Sequence, residues 1–275
     1  MRSFSPAEVI IQDSTAGIST EHLITEEIMV YVLWGLIIIM AMTAVAMFTG
    51  IIPALILRLF GLGRLADRLV FWHAAVISNT GLWLAGIKVH VSGDIESIRE
   101  RVNKGEGFCF VSNHTSILDI ILMLGRLKAR AGFVAKRELL FVPLINVMIA
   151  MTHSVFINRK SLRKSVDAIN RATERIKKGH SMVIFPEGTR SKTGEIGTFK
   201  HGSFRMATES GAFVVPVTVK GLRDSFEDRK HFFQRRDCFL NVGTPVKPPA
   251  AKDREAVSAF VSQVENEIRG TYATL

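Results

Sequence analysis

The sequence predicts an α/β domain with a largely parallel sheet flanked by helices, preceded by an N-terminal membrane-attaching helical segment. Two features of the chain lead to this prediction. Residues 28–57 form a stretch of thirty residues without a formal charge. After Lys88, short apolar runs alternate with charged stretches of helical pattern, and strands that alternate with helices are typical of a parallel sheet.

The predicted strands are short and apolar, and each is followed by a polar segment or a helical pattern. They lie at 107–112, 132–136, 154–157, 182–185, 213–219 and 238–242. The predicted helices lie at 116–125, 143–151, 162–178 and 202–210, with a closing helix near 254–268. In domains of this kind, sites usually form where loops leave the carboxyl ends of the strands.

The uncharged stretch is long enough to cross a membrane, since eighteen such residues already make a candidate span. As one helix it would be about 45 Å long, more than the roughly 30 Å hydrocarbon core. Gly50 and Pro53 offer a break, so we expect one helix over 28–49 and a turn or short helix after it. A second apolar run, 69–87, suits a helix in the membrane interface or one buried against the domain.

Charge is distributed unevenly along the chain. The formal net charge is +10, of which residues 1–27 contribute −4 and the remainder +14. A basic body of this kind can bind nucleic acid, anionic lipid or a phosphorylated substrate, and charge alone does not choose among them. The only cysteines, Cys109 and Cys238, lie far apart in apolar stretches, and we interpret them as buried strand residues.

The first polar cluster, NHTSILD at 113–119, follows the strand at 107–112. Histidine accepts a proton near neutral pH, and Asp119 in the next helical turn can hold the imidazole of His114 and stabilise its protonated form. A second interpretation stays open. Ser116 and Asp119 also fit a capping-box-like pattern, in which Asp119 only caps the helix and His114 is an ordinary loop residue.

The second cluster, FPEGTRS at 185–191, follows the strand at 182–185. Its proline and glycine favour a tight turn, Thr189 adds a hydroxyl, and Arg190 supplies a planar cation suited to phosphate. Glu187 is suited to pairing with a base or holding a hydroxyl. The structural alternative is a β-turn with a surface salt bridge.

Further cations follow other predicted strands or begin a helix. Arg159 follows the strand at 154–157, Lys136 ends the strand at 132–136, and Lys200 precedes the helix at 202–210. A single cation in such a place is usually solvated. Their repetition at strand ends predicts one anion-binding face.

These blocks together resemble the glycerolipid acyltransferase family, above all its 1-acylglycerol-3-phosphate acyltransferases. The family's NHxxxxD is present at 113–119, and its FPEGTRS is matched without change at 185–191. FINR at 156–159 and VPV at 215–217 match two further blocks, and KREL at 136–139 and FKHG at 199–202 also look like the family. Four blocks in the right order, within about residues 85–245, make a very specific resemblance.

The resemblance implies that His114 is a general base oriented by Asp119. The base would deprotonate an acceptor hydroxyl, which attacks the thioester of acyl-CoA or acyl-carrier protein directly. Arg159 would hold the acceptor phosphate. With the clusters above, the candidate substrate-binding residues are Lys136, Arg159, Glu187, Gly188, Thr189, Arg190 and Lys200. The sequence lacks a G-x-S-x-G elbow, which disfavours a covalent acyl-enzyme, and we expect no metal and no cofactor besides the acyl donor.

The predicted organisation is an acidic tail at 1–27, membrane-attaching helices at 28–87 and an acyltransferase domain at 88–275. The apolar segment either spans the bilayer or lies in one leaflet. Acidic residues precede it and arginines follow it, so if it crosses, the positive-inside rule places the catalytic domain in the cytoplasm, which we take to be that of a bacterium. The expected partners are membrane lipid, a lysophospholipid acceptor and the acyl donor, without nucleic acid.

The first choice of acceptor is 1-acyl-glycerol-3-phosphate, which would give phosphatidic acid. A lyso-aminolipid, another lysophospholipid or glycerol 3-phosphate stay possible acceptors, because the phosphate-holding residues do not define the rest of the head group. A hydrolase is disfavoured by the missing nucleophile elbow. A non-catalytic, membrane-tethered protein that binds anionic lipid is the alternative from another class.

Overall fold

The computed structural model describes residues 45, 47–127, 129–142, 145–223 and 236–275. The chain divides into two compact units, Met1–Ile52 and Pro53–Leu275. In the first unit, one π-helical turn is described, Met47–Ile51. The predicted acidic tail and nearly all of the predicted membrane helix at 28–49 lie outside the described residues. Within the described ranges, no helix combines the length and hydrophobicity needed to cross a membrane.

Helices and strands alternate through the rest of the chain, as predicted. The helices are α1 (Ile52–Leu59), α2 (Gly63–Leu84), α3 (Ile95–Asn103), α4 (Leu118–Arg126), α5 (Ile145–Met151), α6 (Leu162–Lys177), α7 (Arg205–Ser210) and α8 (Arg254–Thr274). The strands are β1 (Ile87–Gly93), β2 (Cys109–Ser112), β3 (Ala131–Lys136), β4 (Val155–Ile157), β5 (Ser181–Ile184), β6 (Val214–Lys220) and β7 (Arg236–Val242). Short 3-10 helices follow β3 and precede α7.

All seven strands form one sheet in the order β1-β7-β6-β2-β5-β3-β4. The five strands from β6 to β4 are parallel to one another. β7 pairs antiparallel with β6 and parallel with β1, so these two strands run in the opposite direction. The prediction of a largely parallel α/β sheet flanked by helices is confirmed.

Two elements, β1 and α3, are not among the predicted ones. β1 directly follows the apolar run that we interpreted as a helix, so the alternation in IKVHVSG was hidden at the end of that run. In α3 the buried positions Ile95, Ile98 and Val102 have helical spacing, and the Asp94 side chain accepts a hydrogen bond from the N–H of Ser97. Both the spacing and the cap are helix signals, but this nine-residue segment is mostly polar.

The sheet buries both of its faces. Phe108 and Phe110 belong to one buried cluster, and the alternating residues Cys109 and Val111 belong to the other. Residues along a strand point to opposite faces in turn, so a run that is apolar throughout indicates a strand covered on both sides. This explains why β2 reads as a continuous apolar run.

Helix α2 has one buried stripe and one exposed apolar stripe. Its residues from Ala66 to Leu82 on the buried stripe face α4, where the Asn79 side chain donates to the Gly125 carbonyl oxygen at 3.0 Å. The exposed stripe includes Trp72 and Trp83. Burial against the domain, one of the two predicted alternatives for this run, is therefore observed, while the predicted domain boundary at 87/88 stays a prediction.

We predict that Gly93→Ala destabilises the fold. Gly93 ends β1 with φ of 95°, and a Cβ atom there would lie 1.9 Å from the Val242 carbonyl oxygen. The cost should be about 1–3 kcal/mol or more, measured by urea unfolding of the full chain in detergent.

The matched control is Gly270→Ala, because Gly270 lies in α8 with no atom near the added methyl group. It should raise the free energy of unfolding by about 0.5–1 kcal/mol. If Gly93→Ala unfolds at the same urea concentration as the wild type, the close approach of Gly93 to the Val242 carbonyl oxygen is contradicted.

Candidate active site

The predicted site residues meet at one edge of the sheet. β2, β5, β3 and β4 are parallel neighbours in that order, so their carboxyl ends lie side by side. β2 leads to His114, β5 to Glu187, β3 ends at Lys136, and β4 is followed by Arg159. Neighbouring strands are about 4.8 Å apart, so the backbone positions at the ends of β2 and β4 are about 14 Å apart.

His114 and Asp119 form a hydrogen-bonded pair at the end of β2. Nδ1 of His114 lies 2.9 Å from Oδ2 of Asp119. The Asp119 side chain is fully buried, whereas 12% of the His114 side chain is exposed. A carboxylate accepts only, so Nδ1 carries the proton and the Nε2 lone pair is left for a substrate. The pair can therefore act as a general base with its tautomer fixed.

Asp119 also holds the loop that leads into α4. The same oxygen, Oδ2, accepts hydrogen bonds from the N–H groups of Thr115 at 2.8 Å and Ser116 at 2.9 Å. The two interpretations of Asp119, helix cap and imidazole partner, are thus compatible in one side chain. Ser116 accepts from the N–H of Leu118 at 3.2 Å, which is the capping role expected for it.

A stacking contact also orients the His114 ring, in addition to its hydrogen bond with Asp119. The ring stacks on Phe185 with a centroid separation of 4.0 Å and an interplanar angle of 18°. Phe185 is the first residue after β5, the strand adjacent to β2. The ring therefore has one orientation, set by residues from two neighbouring strands.

Asn113 is a supporting residue to which the sequence patterns assigned no role. Its side chain donates to the Val219 carbonyl oxygen at 2.8 Å and accepts from the Val219 N–H at 2.9 Å. Asn113 is completely buried, so both ends of its amide group are satisfied within the fold. It fixes the backbone directly before His114 against β6. No sequence signal indicated this role, because Asn113 and Val219 are 106 positions apart.

Glu187 connects the histidine loop to a second loop. Oε1 accepts from the His114 N–H at 2.7 Å, and Oε2 accepts from the Gly197 N–H at 2.9 Å. Burial, the largest effect, raises the pKa of Glu187, and the two backbone hydrogen bonds and His114 act in the opposite direction. Both oxygens of Glu187 therefore have partners in the protein. That Glu187 lines an acceptor pocket stays a prediction.

The turn after Glu187 brings further predicted residues to the same edge. Gly188 has φ of 76°, and a Cβ atom there would lie 2.7 Å from Nζ of Lys200. The positive φ favours glycine at this position, whereas the flexible end of the Lys200 side chain could move away from an added methyl group. Thr189 and Arg190 follow in the turn and are exposed, so their side chains are accessible to a ligand.

The two cations on the far side of the edge differ in their surroundings. Lys136 is exposed and lies 3.3 Å from the Glu138 carboxylate. Partial burial lowers the pKa of Arg159, while the neighbouring Glu138 acts in the opposite direction. The Arg159 side chain is nonetheless exposed, as that of Lys136 is, and Arg159 stays a cation.

The described residues contain one group that has the donor atoms for a metal ion: Asp67, His153 and His180, whose ligand atoms all lie within 4.8 Å of one another. The group precedes β4 and β5 and so lies at the opposite edge of the sheet from His114. Oδ1 of Asp67 is already close to two partners, Arg58 at 2.8 Å and His153 at 2.9 Å. Among the described contacts, none joins the group of Asp67, His153 and His180 to the His114–Asp119 pair.

Both cysteines are free and buried, in β2 and β7. Burial raises the pKa of both thiols to about 12. A thiol is a nucleophile only as its thiolate, so neither Cys109 nor Cys238 is suited to forming an acyl-enzyme.

Comparison with known proteins places the chain among lipid-modifying enzymes. The Acyltransferase family profile matches residues 94–220. A 1-acyl-sn-glycerol-3-phosphate acyltransferase of Borreliella burgdorferi is 31% identical over 175 residues, which cover 64% of this chain and 68% of that protein. The enzyme of the same name from Saccharomyces cerevisiae is 27% identical over 249 residues, covering 88% of this chain and 77% of the yeast protein.

A solved structure shares the fold. The crystal structure of the 1-acyl-sn-glycerophosphate (LPA) acyltransferase PlsC from Thermotoga maritima superposes with a TM-score of 0.65 at 25% identity, covering 88% of this chain and 96% of that chain. The segment that matches the family profile, residues 94–220, contains His114, Asp119, Arg159 and Arg190. The protein is thus an acyltransferase.

The similarity to the Borreliella protein extends over most of that relative. The chain belongs to the 1-acyl-sn-glycerol-3-phosphate acyltransferase family. The resemblance noted in the sequence is confirmed, and the family favours the enzyme over the non-catalytic lipid-binding alternative.

We predict that Glu187→Gln displaces the histidine loop. A glutamine offers one oxygen acceptor, and its NH₂ group would face a backbone N–H that now has no acceptor. Leaving one buried donor unpaired costs about 1–3 kcal/mol, so thermal stability and turnover should both fall.

The control is Glu195→Gln, since Glu195 is exposed in the neighbouring loop and its loss should change neither quantity. Wild-type turnover in Glu187→Gln would show that His114 does not depend on this connection.

Proposed function

We propose that the chain transfers a fatty acyl group from the thioester of acyl-CoA or acyl-carrier protein to the free hydroxyl of 1-acyl-glycerol-3-phosphate, giving phosphatidic acid. The names of its relatives support this acceptor. The observation that carries the chemistry is the contact of 2.9 Å between Nδ1 of His114 and the buried carboxylate of Asp119. No further cofactor is required for the reaction.

The reaction begins when Nε2 of His114 takes the proton of the acceptor hydroxyl. The hydroxyl oxygen then attacks the thioester carbonyl carbon, the C–S bond breaks, and the departing thiolate takes the proton from the imidazolium. Asp119 stabilises the imidazolium by its charge. General-base help is typically worth about 10²–10⁴ in rate, and positioning of the two substrates supplies much of the remainder.

Binding of the acceptor phosphate is assigned to the cations at the same edge. Arg159 is the first candidate, since a guanidinium suits bidentate phosphate contacts. Lys136 is the weaker candidate because its ammonium group is already close to Glu138. Arg190 follows β5, the strand next to β2, and Lys200 covers Gly188. These groups lie at the same edge of the sheet as His114, which supports binding of the phosphate on the side of the general base.

The location proposed for the enzyme follows from its substrates. A lysophospholipid and its diacyl product reside in a bilayer, while CoA or a carrier protein is in the cytosol. The uncharged stretch at 28–57 and the basic remainder of the chain suit attachment to an anionic membrane. We therefore propose that the catalytic domain faces the cytoplasm at the membrane surface.

The acceptor is determined by assaying purified full-length protein in liposomes with radiolabelled acyl-CoA and acyl-carrier protein. The panel contains 1-acyl-glycerol-3-phosphate, another lysophospholipid, a lyso-aminolipid and glycerol 3-phosphate. Preference for the first supports the proposal. Preference for another acceptor would support the proposed reaction but identify a different substrate. Transfer to none of the acceptors would contradict the proposal.

The dyad is tested by two substitutions, His114→Ala and Asp119→Asn. We expect each to lower kcat by about 10²–10⁴-fold. The asparagine oxygen can still accept from the Thr115 and Ser116 N–H groups, so the loop is kept while the negative charge facing the imidazole is lost.

Asp167→Asn serves as the control, because Asp167 is exposed on α6, and it should leave kcat unchanged. Circular dichroism confirms that the folds are equivalent. Full activity in Asp119→Asn would show that Asp119 only holds the start of the helix. It would contradict the proposal that His114 and Asp119 act together as the base.

The phosphate contact is tested by Arg159→Gln. A hydrogen bond to a charged group is worth about 1.5–3 kcal/mol, which corresponds to a rise of about 10- to 100-fold in KM for the phosphorylated acceptor. KM for monoacylglycerol, which lacks the phosphate, should not rise.

The control is Arg163→Gln, which removes an equal charge from an exposed position in α6. An equal change in the two variants would mean that Arg159 contributes only general electrostatics.

A further inference from the structure

A second cationic cleft lies at the edge of the sheet opposite His114. Its volume is about 200 Å³, and it is bounded by the start of α2, the ends of α3 and α6, and the turns that precede β4 and β5. β5 separates the two edges, with His180 before the strand and Phe185 after it. Four strand residues span about 13 Å. The cleft is thus distinct from the candidate active site.

Five permanent cations line the cleft: Arg64, Arg68, Lys104, Arg130 and Lys178. Asp67 is the one carboxylate among the described residues that line it. That carboxylate lies within 3 Å of Arg58 and His153, and its single negative charge cannot balance all five cations. In the described part of the chain, none of the five cations has a carboxylate partner within salt-bridge distance. The cleft therefore carries a local excess of positive charge.

The two arginines of α2 lie at the unfavourable end of their helix. Arg64 and Arg68 fall in the first two turns of α2, whose first turn contains no acidic residue. The N-terminus of a helix carries a partial positive charge, which favours anions and disfavours cations. Helix electrostatics therefore do not explain these arginines. In contrast, Lys104 and Lys178 follow the C-termini of α3 and α6, where cations are favourable.

Arg130 completes the cleft from the side of the sheet. Its Nη2 contacts the side-chain oxygen of Asn103 at 3.2 Å, but its Nε is buried without a hydrogen-bond partner among the described residues. Burial and then the charge of Arg68 lower its pKa, Asp67 acts in the opposite direction, and Arg64 lowers the pKa further. A buried donor without an acceptor is costly, and the repulsion from two other guanidiniums adds to this cost. An anion with several acceptor oxygens would offset the repulsion among these guanidiniums.

The surroundings also decide against a metal ion at Asp67, His153 and His180. The two imidazole rings stack with a centroid separation of 3.9 Å. A divalent cation here would be added to a cleft that already contains five cations. The same charges attract an anion.

We propose that this cleft binds a phosphate group, as a second anion site separate from the catalytic edge. A phosphate offers oxygens to several guanidiniums at once, and the convergence of arginines from α2 and from the start of β3 suits that chemistry. The proposal concerns residues that take no part in the transfer reaction and does not rest on it.

The phosphate can belong to an anionic phospholipid or be free in solution, and the side chains next to the cleft favour the lipid. Leu65 and Trp72 on α2 are 49% and 60% exposed, and Phe60 before the helix is 74% exposed. Apolar and aromatic side chains beside arginines are typical of surfaces that contact lipid head groups. Charges that only set membrane orientation under the positive-inside rule need not converge on one cleft with Arg130.

The test uses Trp72 as a local probe, since it lies one helical turn after Arg68. In a Trp34→Phe/Trp83→Phe background, Trp72 is the single tryptophan of the chain. Full-length protein in neutral detergent is titrated with dihexanoyl phosphatidylglycerol, with inorganic phosphate and with zwitterionic dihexanoyl phosphatidylcholine. We expect a saturable change in Trp72 fluorescence with phosphatidylglycerol and none with phosphatidylcholine. Saturation by inorganic phosphate at similar concentrations would assign the site to free phosphate instead of lipid.

Two charge-matched pairs of substitutions complete the test. Arg64→Gln/Arg68→Gln should weaken the apparent affinity at least about tenfold, the effect of losing 1.4 kcal/mol of charge-assisted binding. Lys252→Gln/Arg254→Gln removes the same charge from exposed positions at the start of α8 and should leave the affinity unchanged. Equal weakening in both pairs, an equal response to phosphatidylcholine, or no saturable response to any phosphate compound overturns the proposal.

A third pair of substitutions separates loss of binding from a local change in α2, the helix that carries both Trp72 and the substituted arginines. Lys104→Gln/Lys178→Gln lies on the opposite wall of the cleft and should also weaken binding without altering the emission of the unliganded protein. Acyl transfer measured in the same variants should stay at the wild-type level with a soluble short-chain acceptor. Unchanged affinity in this pair would contradict a site built from both walls.

Discussion

One carboxylate oxygen organises the catalytic edge of this protein. Oδ2 of Asp119 receives three N–H groups, two from the loop after β2 and one from the His114 ring, while Oδ1 is buried without a hydrogen-bond partner among the described residues. A buried carboxylate that is only partly compensated stabilises a neighbouring cation strongly, because no water screens it. In the proposed reaction, the imidazolium of His114 is that cation. The position of the loop and the chemistry of the ring therefore depend on the same group.

The parallel sheet explains why two cationic sites exist and why they stay apart. β4 and β5 each have a basic or histidine residue before the strand and a predicted site residue after it. The two edges differ in what balances the charge. At the catalytic edge Glu187 and Asp119 lie beside His114, whereas the opposite cleft has little carboxylate to offset its arginines and lysines. The first arrangement suits proton transfer and the second suits binding of an anion.

The sequence predicted those parts of the structure that depend on local pattern. The apolar runs marked the strands from β2 to β7, and polar residues after them marked the edge at which His114 and Arg159 lie. What it could not supply were pairings between distant residues. Asn113 is bonded to Val219, which lies 106 positions away, and no local pattern in this sequence indicates that contact. Glu187 and His114 are 73 positions apart, so the same limit hid the role of Glu187 in holding the histidine loop. The reversal of β7 beside β6 is likewise a matter of long-range pairing.

The burial of the two cysteines has a consequence for an enzyme of this kind. Acyl transfer from CoA or a carrier protein releases a free thiol at every turnover, and such thiols can oxidise to disulfides that exchange with protein cysteines. Exchange requires an accessible thiolate. Cys109 and Cys238 are the only cysteines of the chain, both are buried, and their thiols have a pKa of about 12. Under the proposed reaction, neither cysteine is accessible for a mixed disulfide with the leaving thiol, and changes in the redox state of the thiol pool should leave the activity unaltered.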